Sequence, residues 1–359
     1  MTVRMYRSTD VSAPQLDNSV LGSLAAIFKA CLVTGYGSGP NLKAGAGWTL
    51  TIDNTHVILL RNTSGSGRYF KIKDDGYPQV TTTTPTNLWA TITGAANYSD
   101  INSLITPFPR TVTGTDLHST TWYGAPVQKP NYTTTPWILI ADEKTCYFIY
   151  DRFAQAQDAT NPGYSNTGGS NVVIAFGDLK PLGNVTSNPV AFVQTQKFDV
   201  ETYNDTTELF GINNYIQGYL EHSLYDVTKS TKFICALPFC NSINISTVPA
   251  NSNPAVATNN LSVFPSPITG GALFERYIIC DDASNVARPV ANRIATGNPI
   301  HEKFATYPGV FASLHGVRDS DPFYKCCDPF DTLNDGSRQY LVFDTMSSKT
   351  LAIDITGPW

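Results

Sequence analysis

The stretch from Asn18 to Asp75 reads NSVLGSLAAIFKACLVTGYGSGPNLKAGAGWTLTIDNTHVILLRNTSGSGRYFKIKDD, and it joins a helical pattern to a strand pattern. The first part predicts an amphipathic helix, because its apolar residues recur at helical spacing and fall on one side. These residues are Leu21, Leu24, Ala25, Phe28, Cys31 and Leu32. Asn18 or Ser19 is the predicted N-cap, since its side-chain oxygen can accept a hydrogen bond from a free backbone N–H. One face of this helix must be buried, and the segment that follows is the nearest candidate to cover it.

The glycine-rich run at residues 34–40 ends the predicted helix. Glycine can adopt the left-handed conformation that closes a helix, and proline cannot continue one. Three glycines so close together could also suggest a nucleotide-binding loop, but such a loop follows a strand and opens a helix. Here Gly35, Gly37 and Gly39 come after a helix, and no Lys-Ser or Lys-Thr pair directly follows them. Helix termination is therefore the favoured interpretation.

Three strand patterns follow the helix and predict an antiparallel meander. They cover residues 48–52, 57–61 and 69–72, where β-branched and aromatic side chains are frequent. Asp, Asn, Ser and Gly separate them, and these residues favour turns. The predicted fold class is mainly β with α, an α+β arrangement. In it the N-terminal amphipathic helix packs on the antiparallel meander, and further antiparallel hairpins and long loops follow.

Several runs in this region, together with the two ends of the chain, resemble a known family. The runs are LGSL (21–24), ACLVTGYGS (30–38), AGWT (46–49) and GRYFKIKDDG (67–76), and the ends are YRSTD (6–10) and GPW (357–359). In these runs the chain is similar to a family of tailed-bacteriophage virion structural proteins. The resemblance covers about the first 75 residues and the last ten, and the middle of the chain contains none of these motifs. It implies a structural component of the virion and brings no catalytic residues.

The remainder of the chain contains further hairpin patterns separated by long polar segments. Strand patterns fall at residues 137–150, 172–178, 233–239, 275–280, 288–294 and 340–355. Short helices are predicted at residues 97–107 and 213–225, and residues 301–335 are expected to be irregular. Residues 1–80 form the predicted helix and meander docking unit. Residues 81–359 form a β-rich remainder with long surface loops and a sub-boundary near residues 153–171.

The chain is poor in charge, which restricts the classes of partner. Charged residues make up 15% of its 359 residues, against roughly 25% in an average soluble domain. The net charge of −5 offers no basic patch for nucleic acid and no field that would hold a membrane surface. We also find no apolar run of the roughly 20 residues that cross a bilayer, and no apolar segment of a secretory signal. We expect synthesis in the host cytoplasm and incorporation into a virion, without nucleic acid or membrane as partner.

The pairing of the cysteines cannot be read from the sequence. Cys31 lies on the apolar face of the predicted helix, where we expect a buried hydrophobe. Cytoplasmic synthesis favours free thiols for the others, with intermolecular disulfides as the alternative. The others are Cys146, Cys235, Cys240, Cys280, Cys326 and Cys327.

Residues that could support catalysis are scattered along the chain. Paired acids occur at Asp142-Glu143 and Asp281-Asp282, but neighbouring residues on a strand point to opposite faces, so neither pair alone supplies a glycosidase site. The histidines, none of which stands at zinc spacing with another, are His56, His118, His222, His301 and His315. The best metal candidate, His315 with Cys326 and Cys327, is weaker than a structural interpretation of these residues. The sequence therefore predicts no catalytic, cofactor-binding or metal-binding residues and no cofactor, and we expect a protein that is not an enzyme.

The preferred interpretation is a structural component on the exterior of a tailed-phage virion, at the neck, collar or tail. Sparse charge and long loops are typical of proteins that work through subunit contacts, so we expect a homo-oligomer that binds other virion proteins. The alternatives are a capsid decoration protein and a carbohydrate- or receptor-binding tail module, in which Trp122 and Trp137 would stack on a host glycan. A glycan depolymerase with acids from separate strands is a third hypothesis.

Overall fold

The computed structural model describes residues 2–17, 20–74, 90–108, 120–122, 137–151, 171–181, 191–195, 218–220, 233–236, 274–281, 303–313, 331–335, 337–344 and 350–359. These residues form mostly antiparallel β-sheets with one short α-helix, which confirms the predicted β-rich character. The strands are β1 (Arg4–Arg7), β2 (Thr49–Asp53), β3 (Val57–Arg61), β4 (Tyr69–Asp74), β5 (Ala90–Asp100), β6 (Ser103–Phe108), β7 (Thr120–Trp122), β8 (Trp137–Ala141), β9 (Thr145–Asp151), β10 (Asn171–Asp178), β11 (Lys180–Pro181), β12 (Ala191–Thr195), β13 (Gly218–Leu220), β14 (Phe233–Ala236), β15 (Phe274–Asp281), β16 (Lys303–Ser313), β17 (Asp331–Asp335), β18 (Arg338–Asp344) and β19 (Thr350–Asp354).

The helix begins later than the sequence predicted. Helix α1 spans Ser23–Phe28 and continues as a π-helix over Lys29–Thr34. Its N-cap is Gly22, with a φ of 84°, whereas the predicted caps Asn18 and Ser19 lie outside the described residues. Leu21 therefore precedes the helix and is exposed, so its predicted place on the buried face is wrong. The rest of that face is buried, and the helical region ends at Thr34, as predicted.

The strands form three sheets, which we call the meander sheet, the second sheet and the third sheet. The meander sheet has the order β2-β3-β4-β5-β6, with β7 paired to β5. The second sheet has the order β1-β8-β9-β10-β12-β13, so the first strand of the chain pairs with β8. The third sheet has the order β14-β15-β16-β19-β18-β17, with β11 paired to β16. The strands predicted at residues 57–61 and 69–72 are present as β3 and β4, and the first predicted strand is shifted by one residue to β2.

The two hairpins predicted in the later part of the chain, β8–β9 and β18–β19, are where the sequence predicted them. Strands β8 and β9 pair in the register Ile138↔Ile149, and β18 and β19 pair in the register Leu341↔Ile353. The strand predicted at residues 172–178 is β10, and those predicted at 233–239 and 275–280 are present as β14 and β15. The predicted strand at 288–294 lies outside the described residues, and so does the predicted sub-boundary near residues 153–171 except for its last residue.

Two predicted helices and one predicted irregular segment are strands where they are described. Residues 97–107 belong to β5 and β6, in which Asn97 pairs with Ile105 and Tyr98 with Leu104. Residues 213–225 include β13, and residues 301–335 include β16 and β17. These predictions were wrong because they rested on local pattern alone. Pairing with a neighbouring strand satisfies the backbone N–H and C=O groups, and it outweighs weak intrinsic preferences.

The hydrophobic core joins the helix to both the meander sheet and the second sheet. The ring of Phe28 lies 5.3 Å from those of Phe148 and Phe176, measured between centroids. The ring of Trp48 lies 5.5 Å from those of Phe70 and Phe176. One cluster of buried residues contains all five side chains, so the described core is continuous across residue 80. The division of the chain into units 1–80 and 81–359 stays a prediction.

Candidate functional site

Four aspartates are buried among the described residues, and the carboxylate of each accepts at least one hydrogen bond from a backbone N–H. They are Asp74, Asp142, Asp178 and Asp354, with exposed fractions between 1% and 7%. A buried carboxylate is costly unless it is hydrogen-bonded. In a chain this poor in charge, such residues are the first candidates for a functional site.

Asp74 lies at the end of β4 and caps helix α1. Its Oδ2 accepts a hydrogen bond from the backbone N–H of Leu24 at 2.8 Å. Its own N–H donates to the carbonyl oxygen of His56 at 2.7 Å. The cap comes from a residue 50 positions away, because Gly22 has no side chain with which to cap the helix. This contact fixes the helix to the meander sheet.

Asp142 organises the turn between β8 and β9. Its Oδ1 accepts hydrogen bonds at 2.8 Å from the N–H groups of both Lys144 and Thr145. Burial raises the pKa of this carboxyl, and the two backbone hydrogen bonds oppose the rise. The indole N–H of Trp48 donates to the Asp142 carbonyl oxygen at 2.8 Å, which links the turn to β2. Asp142 thus has a structural role in this turn.

Asp178 at the end of β10 forms what we call the clasp with Asn62 and Ser66, two residues of the loop between β3 and β4. Its Oδ1 accepts from Asn62 Nδ2 at 2.8 Å and from the Ser66 hydroxyl at 2.6 Å. Its Oδ2 accepts from the Ser66 N–H at 2.6 Å. Burial raises the pKa of Asp178, and the bonds from Ser66 oppose the rise. The clasp joins the meander sheet to the second sheet.

Asp354 holds the C-terminal residues of the chain. Its Oδ1 accepts from the Thr356 hydroxyl at 2.7 Å and from the backbone N–H groups of Thr356 at 2.9 Å and Gly357 at 3.1 Å. Its Oδ2 binds Arg338 Nη1 at 2.6 Å, and its carbonyl oxygen accepts from the indole N–H of Trp359 at 2.7 Å. The GPW end of the chain is therefore closed onto β19.

Two cavities lie in the described part of the chain, and Asp354 lines one of them. A small one of about 50 Å³ lies next to the C-terminal turn, lined by Lys180, Arg338, Phe311, Trp359 and six other residues. An open cleft of about 480 Å³ lies between the β2–β3 turn, which carries His56, and the β5–β6 turn, which carries Asn102. Neither cavity is lined by two acidic residues together with a histidine.

The residues that the sequence singled out for chemistry are not brought together where they are described. Asp142 and Glu143 lie in the β8–β9 turn, and Asp281 ends β15. Asp282, the four histidines beyond His56, and the Cys326-Cys327 pair lie outside the described residues. Within the described ranges, no group of three or more His, Cys, Asp or Glu side chains could hold a metal ion.

Two further expectations concern cysteine and tryptophan. Cys31 and Cys146 are both buried free thiols, and burial raises the pKa of each.

Trp137 is buried in the core, and its indole N–H donates to the carbonyl oxygen of Pro14 at 3.1 Å. It therefore cannot stack on a glycan in this fold. The structure describes the backbone of Trp122, in β7, but not its side chain.

The clasp could not have been found from the sequence, because Asn62 and Asp178 are 116 residues apart and no local pattern connects them. The turn at Asp354 did have a local sign, since an Asp followed two residues later by Thr is typical of a side-chain-bonded turn. None of the helices in the described part of the chain is long and apolar enough to cross a membrane. The chain matches no protein-family model, and no curated protein matches it in sequence.

Proposed function

We propose that the protein is a non-enzymatic structural component of a tailed-phage virion, which acts through contacts with other virion proteins and with further copies of itself. The observation that carries the proposal is the resemblance of residues 6–10, 21–24, 30–38, 46–49, 67–76 and 357–359 to a family of such proteins. Where the structure describes these runs, several of their glycines lie at positions that the backbone packing restricts to glycine.

The glycines of these runs show that restriction. A Cβ added to Gly22 would collide with the carbonyl oxygen of Thr55, and one added to Gly35 would collide with that of Lys43. Both glycines also have positive φ, which other residues rarely adopt. Backbone packing therefore requires glycine at these two positions of the resembling runs. This supports a role in which shape is the functional property.

The end of the chain supports the same interpretation. The Trp359 ring lies 5.3 Å from the ring of Tyr147 on β9, with the two rings nearly edge to face. A Cβ on Gly357 would collide with the side chain of Val3, so the two ends of the chain meet. The GPW motif therefore packs against Val3 and against β9.

We assign the docking role to the helix and meander unit of residues 1–80, with its α+β arrangement of helix on sheet. Leu42 and Val11 are each more than half exposed, and they lie on two loops that approach each other at Gly37. A neighbouring virion protein that covered them would remove apolar surface from water, which stabilises a complex. The particle exterior, at the neck, collar or tail, is the location that we propose, after synthesis in the host cytoplasm.

Purified virions test the proposal directly. We expect mass spectrometry of intact particles to detect the chain at a fixed stoichiometry, and cross-linking to join it to other virion proteins and to itself. Light scattering of the isolated protein should give an oligomer. A stable monomer that is missing from purified particles would contradict the proposal.

A charged variant tests the docking role more closely. The double variant Val11→Asp and Leu42→Asp should fold, because both side chains are exposed, and should be lost from particles. Ile105→Asp, at another exposed apolar position on β6, is the matched control and should be incorporated normally. Normal incorporation of the double variant would remove these loops from the docking surface.

A further inference from the structure

The clasp has a hydrogen-bond arrangement that suits an ionised carboxylate. Three donors point to Asp178: the Asn62 side-chain amide, the Ser66 N–H and the Ser66 hydroxyl, at 2.6–2.8 Å. An ionised carboxylate has enough acceptor sites for all three. When Asp178 takes up a proton, it carries an O–H group that needs an acceptor in this buried place.

Of the three groups, one can change its role. An amide N–H can only donate, but a hydroxyl can both donate and accept. The Ser66 hydroxyl oxygen also lies 3.4 Å from Asn62 Oδ1, a second acceptor within the clasp. If the hydroxyl turns toward Asn62 Oδ1, its own lone pairs become available to Asp178.

We propose that the Ser66 hydroxyl is a reversible hydrogen-bond relay that keeps the clasp closed whether Asp178 is ionised or protonated. In the ionised state the hydroxyl donates to Asp178 Oδ1. When a proton from solvent binds at Asp178 Oδ1, the new O–H donates to Ser66 Oγ, and the Ser66 hydroxyl donates to Asn62 Oδ1. The Ser66 N–H bonds Oδ2 in both states. The meander sheet and the second sheet therefore stay joined through this point as the medium is acidified.

Proton uptake at Asp178 is within reach of acidification because burial raises the pKa of this carboxyl. The positive charge of Lys144, in the adjacent β8–β9 turn, acts in the opposite direction. The charged residues next to the clasp in sequence or on the β8–β9 turn are Arg61, Arg68, Asp142, Glu143, Lys144 and Lys180. All of them are kept in the variants below, so at each pH the variants and the wild type are compared with the same surrounding charged residues.

Hydrogen exchange on the full-length protein can test the relay. The measured quantity is the equilibrium constant for opening of the loop at residues 62–67, determined at a pH above and a pH below the titration of Asp178. The ¹³C shift of the Asp178 carboxyl carbon shows where that titration lies. Ser66→Ala should raise this constant about tenfold in both protonation states, because a hydrogen bond is lost in each. Ser66→Thr keeps the hydroxyl, and Ser64→Ala removes an exposed hydroxyl from the same loop. Both controls should leave the constant within about threefold of wild type.

The alternative is that Ser66 serves only the ionised carboxylate. The effect of Ser66→Ala would then vanish in the acid state, and that result would overturn the proposal. If the variant does not fold, the wild-type protein still decides the question. Protection of the Ser66 N–H should change by less than about threefold as the Asp178 carboxyl titrates, and a tenfold loss of protection would contradict the relay.

Discussion

At Asp74, one carboxylate supplies the helix cap that the sequence placed at Asn18 or Ser19. Asp74 accepts a hydrogen bond from the backbone N–H of Leu24, which is one of the N–H groups at the start of α1 that have no acceptor within the helix. Asp74→Ala should therefore lower the free energy of unfolding by about 1–2 kcal/mol, as loss of a helix cap does. Chemical denaturation measures the change. Asp53→Ala removes an aspartate that is exposed and ion-paired with Lys29, and it should cost about 0.5 kcal/mol or less. Equal costs for the two variants would show that Asp74 does not act as a cap.

At Gly45, a larger side chain is excluded by lack of space and not by the backbone conformation. A Cβ there would overlap the carbonyl oxygen and carbonyl carbon of Val33 at the end of the helical region. Gly45→Ala should lower the free energy of unfolding by about 2–3 kcal/mol, because the backbone must move to accept the methyl group. Gly39→Ala is the control, since nothing lies within 4 Å of its added Cβ. It should cost about 1 kcal/mol, from the positive φ alone. A tolerated Gly45→Ala would mean that this loop shifts freely.

At Asp142, burial of the carboxyl gives the free energy of unfolding a pH dependence of known sign. The pKa of this carboxyl is raised in the folded protein, so the folded state binds the proton more tightly than the unfolded chain. Its contribution to stability is complete below the unfolded pKa of about 3.9 and declines as pH rises through the folded pKa. Asp142→Asn keeps an acceptor for the Lys144 and Thr145 N–H groups but cannot ionise. Denaturation at a series of pH values should show wild type gaining stability relative to this variant as pH falls, and the opposite slope would refute the assignment.

At the scale of elements, local pattern was sufficient for some hairpins and insufficient where the same residues also fit a helix. The β8–β9 hairpin could be predicted because two β-rich apolar runs flank an Asp-led turn within one short stretch. Strands β5 and β6 also form a local hairpin, but the apolar residues at 101, 104 and 105 recur at helical spacing, so the pattern predicted a helix there. The helix was predicted by its apolar face, but its first residue depended on Asp74, which no helix pattern contains. Tertiary contacts therefore set the boundaries that the sequence missed.

The junction of the helix, the meander sheet and the second sheet is concentrated on Phe176 of β10. Its ring lies 5.3–5.5 Å from the rings of Phe28, Trp48 and Phe70, which come from α1, the residue before β2, and β4. Phe176→Ala should cost about 3–5 kcal/mol, because it leaves a cavity where all three rings meet. Thermal and chemical denaturation measure this loss. Ile105→Ala on exposed β6 should change stability by no more than about 0.5 kcal/mol, and a comparable loss there would argue against a central role for Phe176.

At the scale of the whole molecule, the extent of the shared core bears on the predicted division at residue 80. The apolar face of the helix and Trp48 obtain part of their cover from Phe148 and Phe176, which lie beyond that position. The clasp and the bond from Trp48 to Asp142 cross the same position. A domain that folds alone needs its own core, because only burial of apolar surface offsets the entropy lost on folding. These contacts favour a first segment that depends on the rest of the chain.

A fragment of residues 1–80 tests whether this segment folds alone or depends on the rest of the chain. It contains a single tryptophan, Trp48, whose near-ultraviolet circular dichroism reports whether the ring is held in a fixed environment. We expect the fragment to lack this signal and to melt without a cooperative transition, because the partners of Phe28 and Trp48 on β9 and β10 are missing. The full-length Phe176→Ala variant is the matched comparison, since it removes one of the same partners from an otherwise complete chain. A fragment with the Trp48 signal and a cooperative melt would instead establish residues 1–80 as an independent docking unit.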